Sequence, residues 1–217
     1  MKVRTALSSL AVVAAVTAVG AAAPASAGHD RNPSERVATY AYGLAPVQAE
    51  SVPNSQAGGS TRITALPNGK LQVSVQAWGL APLLPHAMHL HGFTDQADLG
   101  CPGPAADSDG NGLVNVIEGA PFYGGIIASL TTSGDTSPTS ALALDRFPVA
   151  DADGHLSYTR TFVNADALAN ADTAQVVVHG IDLNANGAYD FDAGPSELTS
   201  AAPLEATLPV LCGGIAN

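Results

Sequence analysis

The stretch TRITALPNGKLQVSVQAW, residues 61–78, decides the fold. In its second half Leu71, Val73, Val75 and Ala77 alternate with Gln72, Ser74 and Gln76. Alternation of period two puts the first set on one face of a strand and the second on the other, the pattern of a half-buried β-strand. The first half, TRITAL, runs into Pro67-Asn68-Gly69, residues suited to a tight turn, so the two halves read as a hairpin.

Outward from this hairpin the same signal recurs in RVATYAY, HAMHLHG, IIASLTT, HLSYTRTF, AQVVVHG and EATLPVLC, a count of about eight strands. No long amphipathic helix is expected, and residues 164–172 (NADALANAD) can supply a turn or two. The fold class is therefore all-β, an eight-stranded Greek-key β-barrel or sandwich. Two connections, residues 94–125 and 180–203, are long and rich in Asp, Asn and Gly. Loops of that length in a compact domain are usually functional or held by something other than a core.

Of the 217 residues, the first 27 read as a secretory signal: Lys2 and Arg4, an Ala/Val/Leu-rich core, then Ala25-Ser26-Ala27 as a small-residue cleavage site. Residues 28–35 form a polar lead, and residues 36–217 form one domain. The expected location is extracellular, with no later segment suited to spanning a bilayer. Nineteen acidic residues face eight basic ones, and signal cleavage removes two of the latter. That balance argues against nucleic acid and anionic membranes as partners and favours cations. The only cysteines are Cys101 and Cys212. In an oxidising compartment one disulfide is the default and two free thiols the alternative; closing a loop of about 110 residues is worth about 4–5 kcal/mol in chain entropy.

HAMHLHGF, residues 86–93, holds three of the six histidines. On a strand His89 and His91 project to the same side, whereas His86, at an odd spacing, would point to the other. A third imidazole must come from elsewhere, and His179, closing the apolar run Val176-Val177-Val178, is the candidate. Three imidazole nitrogens suit cuprous copper, or zinc with a water. A His-x-His pair alone also fits satisfied or solvent-facing histidines.

Residues 107–118, DSDGNGLVNVIE, match a twelve-position calcium loop. Asp107, Asp109 and Asn111 would give side-chain oxygens, Leu113 a carbonyl, Gly112 the sharp turn and Glu118 two further oxygens. A second, less complete match places Asp182, Asn184, Asn186, Gly187 and Asp190 in the same pattern. Its twelfth position is Ala193, so Asp192 or Glu197 would have to substitute.

The segment LQVSVQAWGLAPLLPHAMHLHGF, Cys101 ten residues after His91, DADGHLSYTRTF, VVVHG and LPVLCGGI together resemble the extracellular copper/zinc superoxide dismutase family. The resemblance implies a Greek-key barrel with copper on His89, His91 and His179, His86 bracing the site, and Cys101 paired with Cys212. It also implies conversion of superoxide to oxygen and hydrogen peroxide. Two departures narrow this. No histidine lies between Cys101 and His155, so the bridging histidine and the zinc site are expected to be absent; nothing argues for His155 or His29 as a substitute. The family's anion-guiding arginine, three residues before the last cysteine, is here Pro209. Calcium in the long loops is the expected structural ion in place of zinc. The alternative from another class is a non-catalytic, calcium-stabilised extracellular sandwich, of metal-binding or chordin type. A hydrolase lacks support, since no serine sits in a G-x-S-x-G setting.

Overall fold

The computed structural model describes residues 37–92 and 100–214. The signal-like segment 1–27 and the lead 28–35 lie outside them.

Eight strands form one antiparallel sheet: β1 (Ala38–Pro46), β2 (Gly58–Leu66), β3 (Lys70–Trp78), β4 (Met88–Gly92), β5 (Gly125–Ser129), β6 (Leu156–Val163), β7 (Gln175–His179) and, after a small hairpin of β8 (Pro195–Ser196) and β9 (Thr199–Pro203), β10 (Pro209–Gly213). The spatial order is β5-β4-β7-β10-β1-β2-β3-β6, so the β3-to-β4 and β6-to-β7 connections cross over as in a Greek key. All eight expected segments supply a strand of this sheet.

The 61–78 stretch folds as its pattern dictates. Leu71, Val73 and Val75 are fully buried, each burial stabilising by about 1.5–3 kcal/mol. Asn68 and Gly69 take left-handed φ of 66° and 71°, which lets β2 and β3 pair from Leu66↔Lys70 to Gly58↔Trp78. The sheet's end strands are drawn together by side chains. Asn164 Nδ2 donates to the Ile127 carbonyl at 3.3 Å, and Arg160 donates to the Thr131 carbonyl at 2.7 Å. The main core fills the inside of the curl, where Met88, Leu90, Val176 and Val178 meet Ile63, Val73 and Tyr158.

A second cluster packs on the outer face: Val47, Val114, Tyr123, Val177 and Cys212. It sits beneath the first long connection, which is less irregular than expected. That connection carries α1 (Val116–Tyr123), whose N-terminus is closed by a capping box between Asn115 and Glu118. A short helix, α2, occupies Ala165–Ala169 within the segment allotted a turn or two. The expected strand EATLPVLC is corrected in part: Leu204–Thr207 form a helical turn, α3, and the strand begins only at Pro209. The second long connection likewise contains the β8–β9 hairpin.

Candidate metal centre

Strand alternation builds the centre. On β4, Met88 and Leu90 enter the main core, which leaves His89 and His91 on the outer face. β7 lies antiparallel beside β4, with His89 opposite Val177 and Met88 opposite Val178. Its last residue, His179, is anchored by its own N–H donating to the Ala87 carbonyl at 2.8 Å. The three imidazoles are each 4% exposed. One nitrogen from each ring lies within 4.8 Å of those of the other two.

The hydrogen bonds decide which nitrogen of each ring is free to ligate. His89 Nε2 faces the Ala141 carbonyl at 3.1 Å, His91 Nδ1 the Gly124 carbonyl at 2.9 Å, and His179 Nδ1 the Thr207 carbonyl at 2.8 Å. A carbonyl oxygen only accepts, so each of these ring nitrogens carries the hydrogen. The opposite nitrogens, His89 Nδ1, His91 Nε2 and His179 Nε2, are therefore bare lone pairs. Among the described residues they are the buried side-chain nitrogens and oxygens that have no partner. Leaving a buried polar group unpaired costs about 1–3 kcal/mol, and all three such groups belong to this one cluster of rings. Orientation of ligand imidazoles by carbonyls on their far side is the usual support of a metal site.

Electrostatics agree with neutral rings. Burial pushes His89 well below its ordinary value, with His179 and His91 adding repulsion. Burial and then His179 bring His91 to about 3, and burial brings His179 to about 4. At neutral pH all three present lone pairs rather than N–H groups.

His86 stands behind the centre. Its ring is fully buried, with Nδ1 2.9 Å from the His179 carbonyl and Nε2 3.0 Å from the Ala81 carbonyl. It thus ties the backbone of one candidate ligand to the loop ahead of β4. Burial lowers its pKa, and a neutral ring donates to only one of those carbonyls at a time. Gly180 completes the fit: at φ 110° any Cβ there would collide with Tyr189 Oη and sit 3.0 Å from His86 Nδ1. Two aromatic neighbours escaped sequence reasoning because no local pattern ties them to the histidines. Tyr123 packs edge-on against His91 at 4.5 Å between ring centroids, and Phe147 against His89 at 5.5 Å.

Cys101 and Cys212 form a disulfide across a sequence separation of 111, pinning the first long loop to β10. Gln48, buried and likewise unmarked by any motif, reinforces this. Its Nε2 donates to the Val114 and Pro209 carbonyls at 2.8 Å each, and its Oε1 accepts from the Val114 N–H at 2.9 Å. Pro209, at the position of the resembling family's arginine, is buried and brings no cation.

The two expected calcium loops are orderly. Asp107 accepts from the amides of Gly110, Asn111 and Gly112; Asp109 and Asn111 accept from residues two ahead. Carboxylate oxygens of Asp107, Asp109 and Glu118 gather within 4.8 Å. Glu118, however, is already engaged: Oε1 accepts from the amides of Ser108 and Asp109 and the Ser108 hydroxyl, and Oε2 from the Asn115 amide. In the second loop Asp182 accepts from Asn186 and Gly187, and Asn184 and Asn186 turn their amides to Asp190. Asp192 lies within reach of Asn184, at 3.4 Å. A carboxylate missed by the sequence reading closes this loop: Glu205, 1% exposed, accepts from the Leu183 and Asp190 amides at 2.8 and 2.9 Å. His155 sits beside Asp151 in an exposed turn, 3.8 Å from it, and joins neither cluster.

Fold and site together define an antiparallel eight-stranded barrel-like sheet with a buried three-imidazole cluster on its outer face. No protein family and no curated protein matches the chain. Among solved structures it is similar to superoxide dismutase 5 of Candida albicans, Cu(II) form, with 15% identity and a TM-score of 0.36, over 82% of this chain and 92% of that one.

Proposed function

We propose that this chain is an exported mononuclear copper protein, using His89 Nδ1, His91 Nε2 and His179 Nε2 as ligands. The observation that supports the reading is the convergence of three buried, partnerless imidazole nitrogens whose opposite nitrogens are fixed by carbonyls. Among divalent first-row ions copper binds nitrogen sites most tightly, and a three-imidazole set suits its cuprous form too. Held there, copper would supply one-electron exchange, with superoxide as the substrate that the resemblance implies.

The chain's own residues do the rest. The three imidazoles stay neutral, the carbonyls of Ala141, Gly124 and Thr207 hold their planes, and His86 holds the His179 backbone. Pro209 offers no cation to draw in an anion, so superoxide turnover is expected to be slow. The reading assigns calcium to Asp107, Asp109, Asn111, Leu113 and Glu118, where three carboxylates within 4.8 Å repel one another without a cation. It assigns a second calcium to Asp182, Asn184, Asn186, Asp190 and Asp192.

The test is to load purified protein with copper, measure stoichiometry, and assay superoxide consumption by wild type and His89→Ala. One copper per chain, lost in the variant, supports the site. Dismutation by wild type alone supports the activity, and its absence in both leaves a copper-binding protein.

A further inference from the structure

His89, His91 and His179, each buried, form the floor of a cavity of about 240 Å³. Its walls are apolar: Val116, Ala120 and Tyr123 from α1, Leu142 from the segment after β5, and Leu198 from the tip of the β8–β9 hairpin. Ile117, Leu142 and Leu198 are 55%, 41% and 51% exposed, so large side chains from three separate elements surround it and remain open to a ligand. No charged residue lines the cavity among the described residues. The side-chain hydroxyls of its wall are already engaged, that of Tyr123 with the Val116 carbonyl at 3.3 Å. The Thr207 hydroxyl bonds Ser196 Oγ and the Leu204 carbonyl, while the carbonyls of Gly124, Ala141 and Thr207 hold the imidazoles.

Such a chamber is larger than a diatomic anion needs and offers it no cation, in keeping with the slow superoxide turnover expected above. An anion entering it sheds water against walls that are mainly apolar and carry no charge among the described residues. An apolar body of the right size instead removes its own surface and the walls from water.

We propose that this chamber binds a neutral, mainly apolar molecule of about six to ten non-hydrogen atoms, since a 150 Å³ apolar cavity already holds benzene. One nitrogen or sulfur donor of that molecule points at the histidine floor. The donor's role rests on the copper reading above; the chamber's preference for apolar over anionic ligands does not.

The probes are 1-alkylimidazoles from methyl to butyl, with azide as the anion, titrated into the copper-loaded full chain and followed by the copper absorption band. Each added methylene should tighten Kd about three- to fourfold, the factor that burying one CH₂ supplies. Azide should bind more weakly than 1-butylimidazole. Leu142→Asp and Leu198→Asp change exposed residues and should retain copper while flattening the chain-length gradient. A flat series in the wild type, or azide binding tighter than 1-butylimidazole, overturns the proposal. Should the wild type retain no copper, the copper reading fails by itself. The same series is then titrated calorimetrically into the metal-free protein, where a gradient supports the chamber and a flat response overturns it.

Discussion

At the scale of single residues, His86 and the three clustered histidines make opposite demands. His86 is a donor facing two buried carbonyls; the others keep lone pairs buried with nothing to accept. His86→Ala should cost about 1–3 kcal/mol through the carbonyl it orphans, and weaken copper binding about 10- to 100-fold through the loosened His179 backbone. Urea denaturation and competition against a copper chelator measure the two effects. The clustered histidines make the metal-free fold acid-sensitive. Their folded pKa values lie below the ordinary 6.5, at about 3 for His91 and about 4 for His179. The unfolded chain therefore takes up protons first, and stability present above pH 6.5 is lost as pH falls towards the folded values. Each group contributes a slope of about 1.4 kcal/mol per pH unit in that window. Urea midpoints of the metal-free protein at pH 7, 5.5 and 4.5 should fall in order, and equal midpoints would contradict neutral buried rings. Alternation alone made His89 and His91 a legible pair, because a strand allows only two faces. Which nitrogen of each ring is bare was not legible, since the carbonyls that decide it come from residues 124, 141 and 207.

At the scale of elements, the strands of the main sheet and the short α2 were legible, and α1 and α3 were not. Val73 and Gln72 differ in burial because their positions alternate, and no distant contact is needed to say so. α1 was hidden because Gly119 and Pro121 lie inside it, both poor helix formers. It forms because Asn115 and Glu118 cap each other and Tyr123 buries against His91. α3 was hidden because Glu205 lies in a run that reads as strand, while its carboxylate holds the amides of the second loop. Glu118→Ala should destabilise the protein by about 0.5–2 kcal/mol, the range for a lost helix cap. It should also abolish any effect of calcium on the first loop. Calcium itself is expected to raise the melting temperature of EDTA-treated protein, and an unchanged melting temperature would remove calcium from the account.

At the scale of the whole molecule, one sheet provides both the support and the site. The inner face of β4 and β7 fills the main core, while their outer face carries the histidines beneath a loop fastened by Cys101–Cys212. Reducing that disulfide should cost about 4–5 kcal/mol by the chain-entropy relation, read as a drop in urea midpoint between oxidised and reduced protein. It should weaken copper retention as well, because the loop carries the Gly124 carbonyl that orients His91. The eight-strand count was readable from the turn signals between alternating runs. The grouping of residues 89, 91 and 179 was expected, with His179 as the candidate third imidazole, but its cause was not legible, since it lies in β7 being placed next to β4 rather than next to β6. The most direct test of the central claim is pulsed electron paramagnetic resonance on copper-loaded protein of known stoichiometry, in the wild type and in His89→Ala, His91→Ala and His179→Ala. One copper per chain with three imidazoles in its coordination sphere, and loss of that signal in each variant, is the predicted result. A wild type that retains no copper, or a variant that keeps the wild-type signal, would contradict it.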